Sequence, residues 1–232
     1  MDEIVMRPVA RIHTDFPTKF GVPRQSGLVP ELRARVVFEP GYRAAEAVRG
    51  LEGFSHIWLL WYFSASARTE GFSPTVRPPR LGGNVRVGVF ATRSPFRPNG
   101  IGLSCVRLLD IDCDAADGPA LIVGGADLMD GTPILDVKPY VLYADAHPEA
   151  EEGFTSAAAR TAEVIFPPEK LALVPEDRRE ALLGVLAQDP RPSYQDDPER
   201  VYGFGFAGLE IRFRVAEGLL TVLDVSPTDN LQ

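Results

Sequence analysis

The sequence predicts a mainly β protein in two parts, a β body of about 145 residues followed by a small α+β unit. Short alternating or continuous apolar segments recur through the first part, separated by loops rich in proline and glycine. An acidic stretch without periodicity, residues 146–156, then precedes one segment of helical spacing and a last group of strands. At 232 residues and 45% hydrophobic, the chain has enough apolar surface for a sizeable core.

Taken in order, alternation predicts strands near Ile4–His13 and Leu32–Glu39. Arg43–Arg49 reads as a short helix ended by Gly50, and the unbroken apolar run Ile57–Phe63 as a strand buried on both faces. Further strands are expected at Arg86–Phe90, Leu103–Ile111, Ala120–Asp127 and Ile134–Leu142. In the tail, Pro175 stands at a helix start, Glu176 and Asp177 suit its first turn, and Ala181, Leu182, Val185 and Leu186 fall on one face of a helix ending near Gln188. Three strands follow at Val201–Phe206, Leu209–Val215 and Leu219–Val225, with Gly208 and Gly218 at the turns. The expected division is 1–146 and 157–232.

No segment approaches the roughly 20 apolar residues that cross a bilayer, and the first residues lack the pattern of an export signal. Cys105 and Cys113 have neither metal-type spacing nor enough company for a disulfide framework, so they read as reduced thiols, and the expected address is the cytoplasm without a membrane. A formal charge of −8 argues against a nucleic-acid partner, but its distribution reverses the argument. Residues 1–107 hold 15 basic and 8 acidic residues, a net of +7, and residues 108–232 hold 9 and 24, a net of −15. A basic face is expected on the first half.

The densest chemical signal runs from Arg77 through Pro78-Pro79-Arg80-Leu81-Gly82-Gly83-Asn84 and Arg86 to Arg93-Ser94-Pro95-Phe96-Arg97-Pro98-Asn99. Between Arg68 and Arg107 there are seven arginines and one acid, Glu70. Arginine forks suit phosphate and carboxylate, proline stiffens a loop, and glycine lets backbone approach a ligand; together they describe an anion-binding loop, or else a solvated loop paired with the acidic second half. Asp127, Asp130 and Asp136 gather with Tyr140 around the turn at Asp130-Gly131. Such a turn can hold an amino group, supply a base or bind a metal, or be an ordinary turn, and its spacing does not match an EF-hand loop, so no metal is expected. Val22-Pro23-Arg24-Gln25-Ser26-Gly27 is a second rigid loop offering a guanidinium, an amide and a hydroxyl. His13, His56 and His147 are scattered and form no readable triad, and Walker A, GxSxG and GxGxxG motifs are absent.

At these residues the chain resembles the TsaA/TrmO family, tRNA methyltransferases acting on N6-threonylcarbamoyladenosine beside the anticodon. The shared motifs are Lys19-Phe20 with Val22-Pro23-Arg24-Gln25, Ala47-Val48-Arg49-Gly50-Leu51-Glu52 with Phe54-Ser55-His56, Thr75 to Asn99, and Asp130-Gly131-Thr132-Pro133 through Asp136 to Tyr140. Val185-Leu186-Ala187-Gln188-Asp189-Pro190-Arg191-Pro192 is similar to the long bacterial form, so the resemblance spans nearly the whole chain. It implies a TsaA-like β-barrel, a methyltransferase outside the Rossmann class, followed by a small α+β C-terminal domain, and a homodimer with S-adenosylmethionine held near the subunit contact.

By resemblance the cofactor contacts are Arg24, Gln25 and Ser26, Ser64 and Ala65, Arg93, Leu103, and Ile134, Leu135, Asp136 and Val137, several of them through backbone groups. Ser26 stands where proline is common in the family, and Ser64-Ala65 replaces a more polar pair. The implied substrate, tRNA carrying threonylcarbamoyladenosine, brings a threonyl carboxylate and phosphates, which gives Arg80, Arg86 and Arg97 a reason to cluster; Asp189 and Arg191 in the tail are expected to join them. Methyl transfer from a sulfonium is mainly a matter of alignment, and Asp136 or Tyr140 is the candidate for assisting proton loss from the acceptor nitrogen. Rival readings are a methyltransferase on another acceptor and a non-catalytic module that binds a nucleoside or tRNA.

Overall fold

Where apolar and polar residues alternate, the chain extends and turns its apolar side inward. The computed structural model describes residues 3–66, 72–155, 161–192, 195 and 197–228. Its first strands are β1 (Ala10–His13), β2 (Arg33–Phe38) and β3 (His56–Tyr62); a two-residue pair, β4 (Thr75–Val76) and β5 (Val87–Gly88), interrupts the long connection to β6 (Ile101–Asp112), which is followed by β7 (Ala120–Gly124) and β8 (Thr132–Pro139). Six of them close into an antiparallel barrel in the order β1-β2-β7-β6-β3-β8. Closure leaves these strands no open edge. Ile12, Val36, Ile57, Leu59, Leu121 and Ile134 are fully buried inside the barrel. The length of β6 lets it serve two neighbours, pairing with β3 over its first half and with β7 over its second, the change falling at Arg107 and a bulge following at Leu109.

After the short helix α1 (Leu142–Asp145), a second layer forms from β9 (Glu163–Ile165), α2 (Pro168–Leu171), α3 (Glu176–Ala187), β10 (Tyr202–Phe206), β11 (Leu209–Ala216) and β12 (Leu219–Pro227). The sheet order is β10-β11-β12-β9, with β9 parallel to β12. Two-residue turns at Ala207-Gly208 and Glu217-Gly218, all four residues at positive φ, join the hairpins with the twist that suits them. Ala181, Leu182, Val185 and Leu186 of α3 pack on this sheet as their spacing predicts. The core they share also takes in Phe16, Val29 and Leu32 from the connection between β1 and β2. Gly184 of α3 lies so close to Val29 that a Cβ there would sit 2.7 Å from it.

Several expectations are corrected. The first strand shrinks to Ala10–His13, because Ile4 and Val5 meet no partner and are 89% and 81% exposed. The run at Ile57–Phe63 is buried on one face; Ile57 and Leu59 enter the barrel while Trp58 and Leu60 lie half-buried outside. Arg43–Arg49 forms a 3-10 turn at Ala45–Val48, and Arg86–Phe90 keeps two strand residues before another such turn, Val89–Ala91. β9 and α2 escaped the sequence reading because each is too short to set a period and is flanked by proline.

Candidate active site

Because every neighbouring pair in the barrel is antiparallel, the connections alternate between its ends. The ends of β1, β3 and β7 and the starts of β2, β6 and β8 share one end, so segments 14–32, 63–100 and 125–131 all emerge there. These segments carry the rigid Arg24 loop, the arginine-rich loop and the start of the aspartate turn.

At that end the loops touch. The Gly27 amide donates to the Gly125 carbonyl at 2.8 Å, and Gly125, at φ +72°, leaves only 3.2 Å between the place of a Cβ and the Gly27 Cα. A side chain there would push the loops apart. Arg93 donates from its guanidinium to the Gln25 side-chain carbonyl. Beneath them Trp61 Nε1 donates to Ser104 Oγ at 3.0 Å, and since that nitrogen only donates, the Ser104 hydroxyl donates onward to Asp127 Oδ1, at 2.6 Å. Burial raises the Asp127 carboxyl above the ordinary aspartate value of 3.8; the Ser104 hydroxyl, backbone amides including that of Ser26, and the charge of Arg93 pull against it. A half-buried acid thus lies among the residues expected to hold a ligand.

Leu103 pairs with Leu60 on β3, and Leu60 pairs with Asp136 on β8, so these three share the outer face of neighbouring strands, with Leu103 48% exposed. Between Leu60 and Trp61 the register slips, leaving Leu135 as the extra residue of a β-bulge. A bulge takes backbone groups out of the ladder and re-aims them, a useful property beside a ligand. Ile134 and Val137 turn their side chains into the barrel core, so they offer only backbone. Asp136 is paired with Lys138 Nζ at 2.8 Å and accepts from the Val137 amide. Ser64 and Ala65 are exposed just past β3. Arg86 is exposed, while Arg97 is half-buried and donates to the Thr92 carbonyl at 2.9 Å, stiffening its own loop. The side chain of Arg80 lies outside the described residues.

Other expected site residues are placed elsewhere. The Tyr140 amide bonds to the His56 carbonyl, and its ring packs against His56 and Trp58. His56 starts β3 and the loop cluster lies beyond its end, so Tyr140 is roughly 20 Å away in the same chain. Asp189 and Arg191, expected to face the substrate, are only 5% and 6% exposed and form a bidentate pair with both contacts at 2.8 Å. Desolvated charges survive inside a protein only when so paired, which is why these two turn inward. The carbonyl of Arg191 meanwhile accepts from Arg24 at 3.0 Å, so the pair supports the Arg24 loop from behind. Sequence reading passed over Ser104 and Trp61 as site residues; the available signal was a hydroxyl inside an apolar strand, which needs a partner when buried.

The comparisons agree with this architecture. Residues 11–146 match the model of the tRNA-methyltransferase O N-terminal domain and residues 159–228 that of the TrmO C-terminal domain. The chain is 42% identical over 240 residues to the tRNA (adenine(37)-N6)-methyltransferase of Escherichia coli, covering 98% of this chain and all of that one. It is 46% identical over 170 residues to the enzyme of the same name from Eikenella corrodens, covering 73% of this chain and 95% of the relative. A crystal structure of TrmO from Pseudomonas aeruginosa superposes with a TM-score of 0.79 at 35% identity, covering 98% of both chains. By sequence along its length and by fold, the chain belongs to the tRNA-methyltransferase O family.

Proposed function

We propose that this chain methylates N6 of the threonylcarbamoylated adenosine beside the anticodon of tRNA, with S-adenosylmethionine as methyl donor, and that it acts as a homodimer. The carrying observation is that segments 14–32, 63–100 and 125–131 converge at one barrel end within this family's fold. The donor set there fits the cofactor: Arg93 offers a fork for a carboxylate, the bulge at Leu135 re-aimed backbone groups, and Leu103 an exposed apolar contact. The bound donor supplies an electrophilic methyl carbon on a sulfonium.

The protein's own contribution is alignment and exclusion of water. Arg24, Gln25 and Ser26 form one wall and the outer face around Leu103 the other, with Ser64 and Ala65 at the rim. As the acceptor nitrogen gains a methyl group it must lose a proton, and Asp136, on the outward face beside Leu60 with Lys138 Nζ 2.8 Å from its carboxylate, is the group we assign to help. Arg80, Arg86 and Arg97 belong to the loop that meets the phosphates and the threonyl carboxylate. Residues 1–146 form the methyltransferase domain and 157–232 a domain that braces it. No helix among the described residues is long and apolar enough to cross a membrane.

The test is incubation with labelled S-adenosylmethionine and tRNA from cells lacking this activity, followed by digestion and mass analysis of the nucleosides. A methyl gain on threonylcarbamoyladenosine is the expected result. Donor binding with no labelled nucleoside would turn the reading toward another acceptor or a binding module.

A further inference from the structure

The hydroxyl and carboxylate under the loop cluster belong to none of the contacts assigned above. Asp127 lies in the connection from β7 to β8, Ser104 lies in β6 and is 1% exposed, and Trp61 is the last residue but one of β3. Trp61 is held flat over Gly102, where a Cβ would come within 2.3 Å of its ring, so the indole has little freedom and its N–H is aimed at Ser104. That donation orients the Ser104 hydroxyl toward Asp127. On its other side the carboxylate faces the Ser26 amide and the Arg93 guanidinium, which in turn is bonded to Gln25. The neighbouring bond from Gly27 to Gly125 keeps the Arg24 loop at this distance.

We infer that Asp127 is a positioning residue of the cofactor site: its carboxylate, oriented by Ser104 and Trp61, sets the spacing between the Arg24–Ser26 loop, Arg93 and the strand that presents Leu103. The inference rests on the methyltransferase reading and deepens it. It needs the charged carboxylate, since only the charged form offers every lone pair to donors and attracts Arg93. Among the described groups packed around Asp127, Arg93 is the one whose charge acts on it. The cluster therefore comes undone as Asp127 takes up a proton, and because burial raises its proton affinity, this happens at milder acidity than for an exposed aspartate.

The experiment is calorimetric titration of S-adenosylmethionine into the full-length protein, Asp127→Asn and Ser104→Ala, from neutral pH downward to the ordinary aspartate value of 3.8. Wild-type affinity is expected to fall toward acid. Asp127→Asn should bind about tenfold more weakly at neutral pH and lose that fall, because an amide presents N–H to one of the donors it must satisfy and does not titrate. Ser104→Ala should keep the fall but move it to higher pH, since the lost hydroxyl favoured the charged form. A purely structural role for Ser104 would not move it. If Asp127→Asn does not fold by circular dichroism, the displacement in Ser104→Ala decides alone. Wild-type affinity and an unchanged acid fall in Asp127→Asn, or an undisplaced fall in Ser104→Ala, would overturn the inference while leaving the methyltransferase reading intact. Wild-type protein that binds no S-adenosylmethionine at neutral pH would instead overturn that reading.

Discussion

Charge at single residues divides the surface from the scaffold. Arg86 is exposed on the arginine-rich loop, and a phosphate contact there would release about one counterion. Arg86→Ala is expected to weaken tRNA binding and reduce the magnitude of the salt slope by about one, measured by filter binding over a salt series. Asp136→Asn should slow methyl transfer about a hundredfold or more in single-turnover assays if its carboxylate takes the proton; an unchanged rate would remove it from that role. Asp145 makes a different kind of contact, accepting from Trp58 Nε1 at 3.0 Å and from the Val141 amide at 2.8 Å, and these bonds hold its carboxyl below the ordinary 3.8. A depressed carboxyl contributes fully above its unfolded value and loses that contribution as pH falls through the lower folded one. Trp58 fluorescence should therefore titrate in acid with a midpoint below the ordinary aspartate value of 3.8, and Asp145→Asn should abolish that change.

Between elements, close approach sets the tolerances. Gly21, at φ +93°, lies against the Phe204 ring of β10, where a Cβ would come within 2.4 Å. Gly21→Ala combines a left-handed backbone with a collision and should cost about 2–3 kcal/mol in denaturant unfolding. The same change moves the Arg24 loop, so donor affinity should fall with it. The turn after α3 is held by Asp189 and Arg191, both buried, and Asp189→Ala leaves a buried guanidinium without that carboxylate. A loss of about 3 kcal/mol is expected, with cofactor affinity falling because the Arg191 carbonyl is the acceptor for Arg24. At this scale the tail acts on the site through backbone it holds in place.

Across the whole molecule the two parts share material. Phe16, Val29 and Leu32 leave the barrel's connection to enter the core of the second sheet, and Arg178 of α3 reaches back to Asp15 at 2.9 Å. A chain ended at residue 146 would expose those three apolar side chains, each costing about 1.5–3 kcal/mol of lost burial. Such a truncation is expected to melt at lower temperature by calorimetry than the full chain and to bind the methyl donor more weakly, because segment 14–32 loses its support. An equal melting temperature and affinity would mean that the barrel orders this segment unaided.

Strand identity was legible because burial imprints a period of two on residues such as those of β2 and β11, and α3 was legible from the spacing of Ala181, Leu182, Val185 and Leu186. The arginine-rich loop and the Arg24 loop announced themselves through composition, which needs no third dimension. Barrel closure, the shared end of three connections and the bulge at Leu135 depend on which strands pair, and pairing is decided by contacts distant in sequence. For the same reason the chain's letters could not tell that Asp189 and Arg191 face inward, that Tyr140 sits at the far end of the barrel, or that Asp127 meets Ser104. Side-chain chemistry is local and can be read along the chain, whereas direction, burial and partnership belong to the closed barrel and the sheet that braces it.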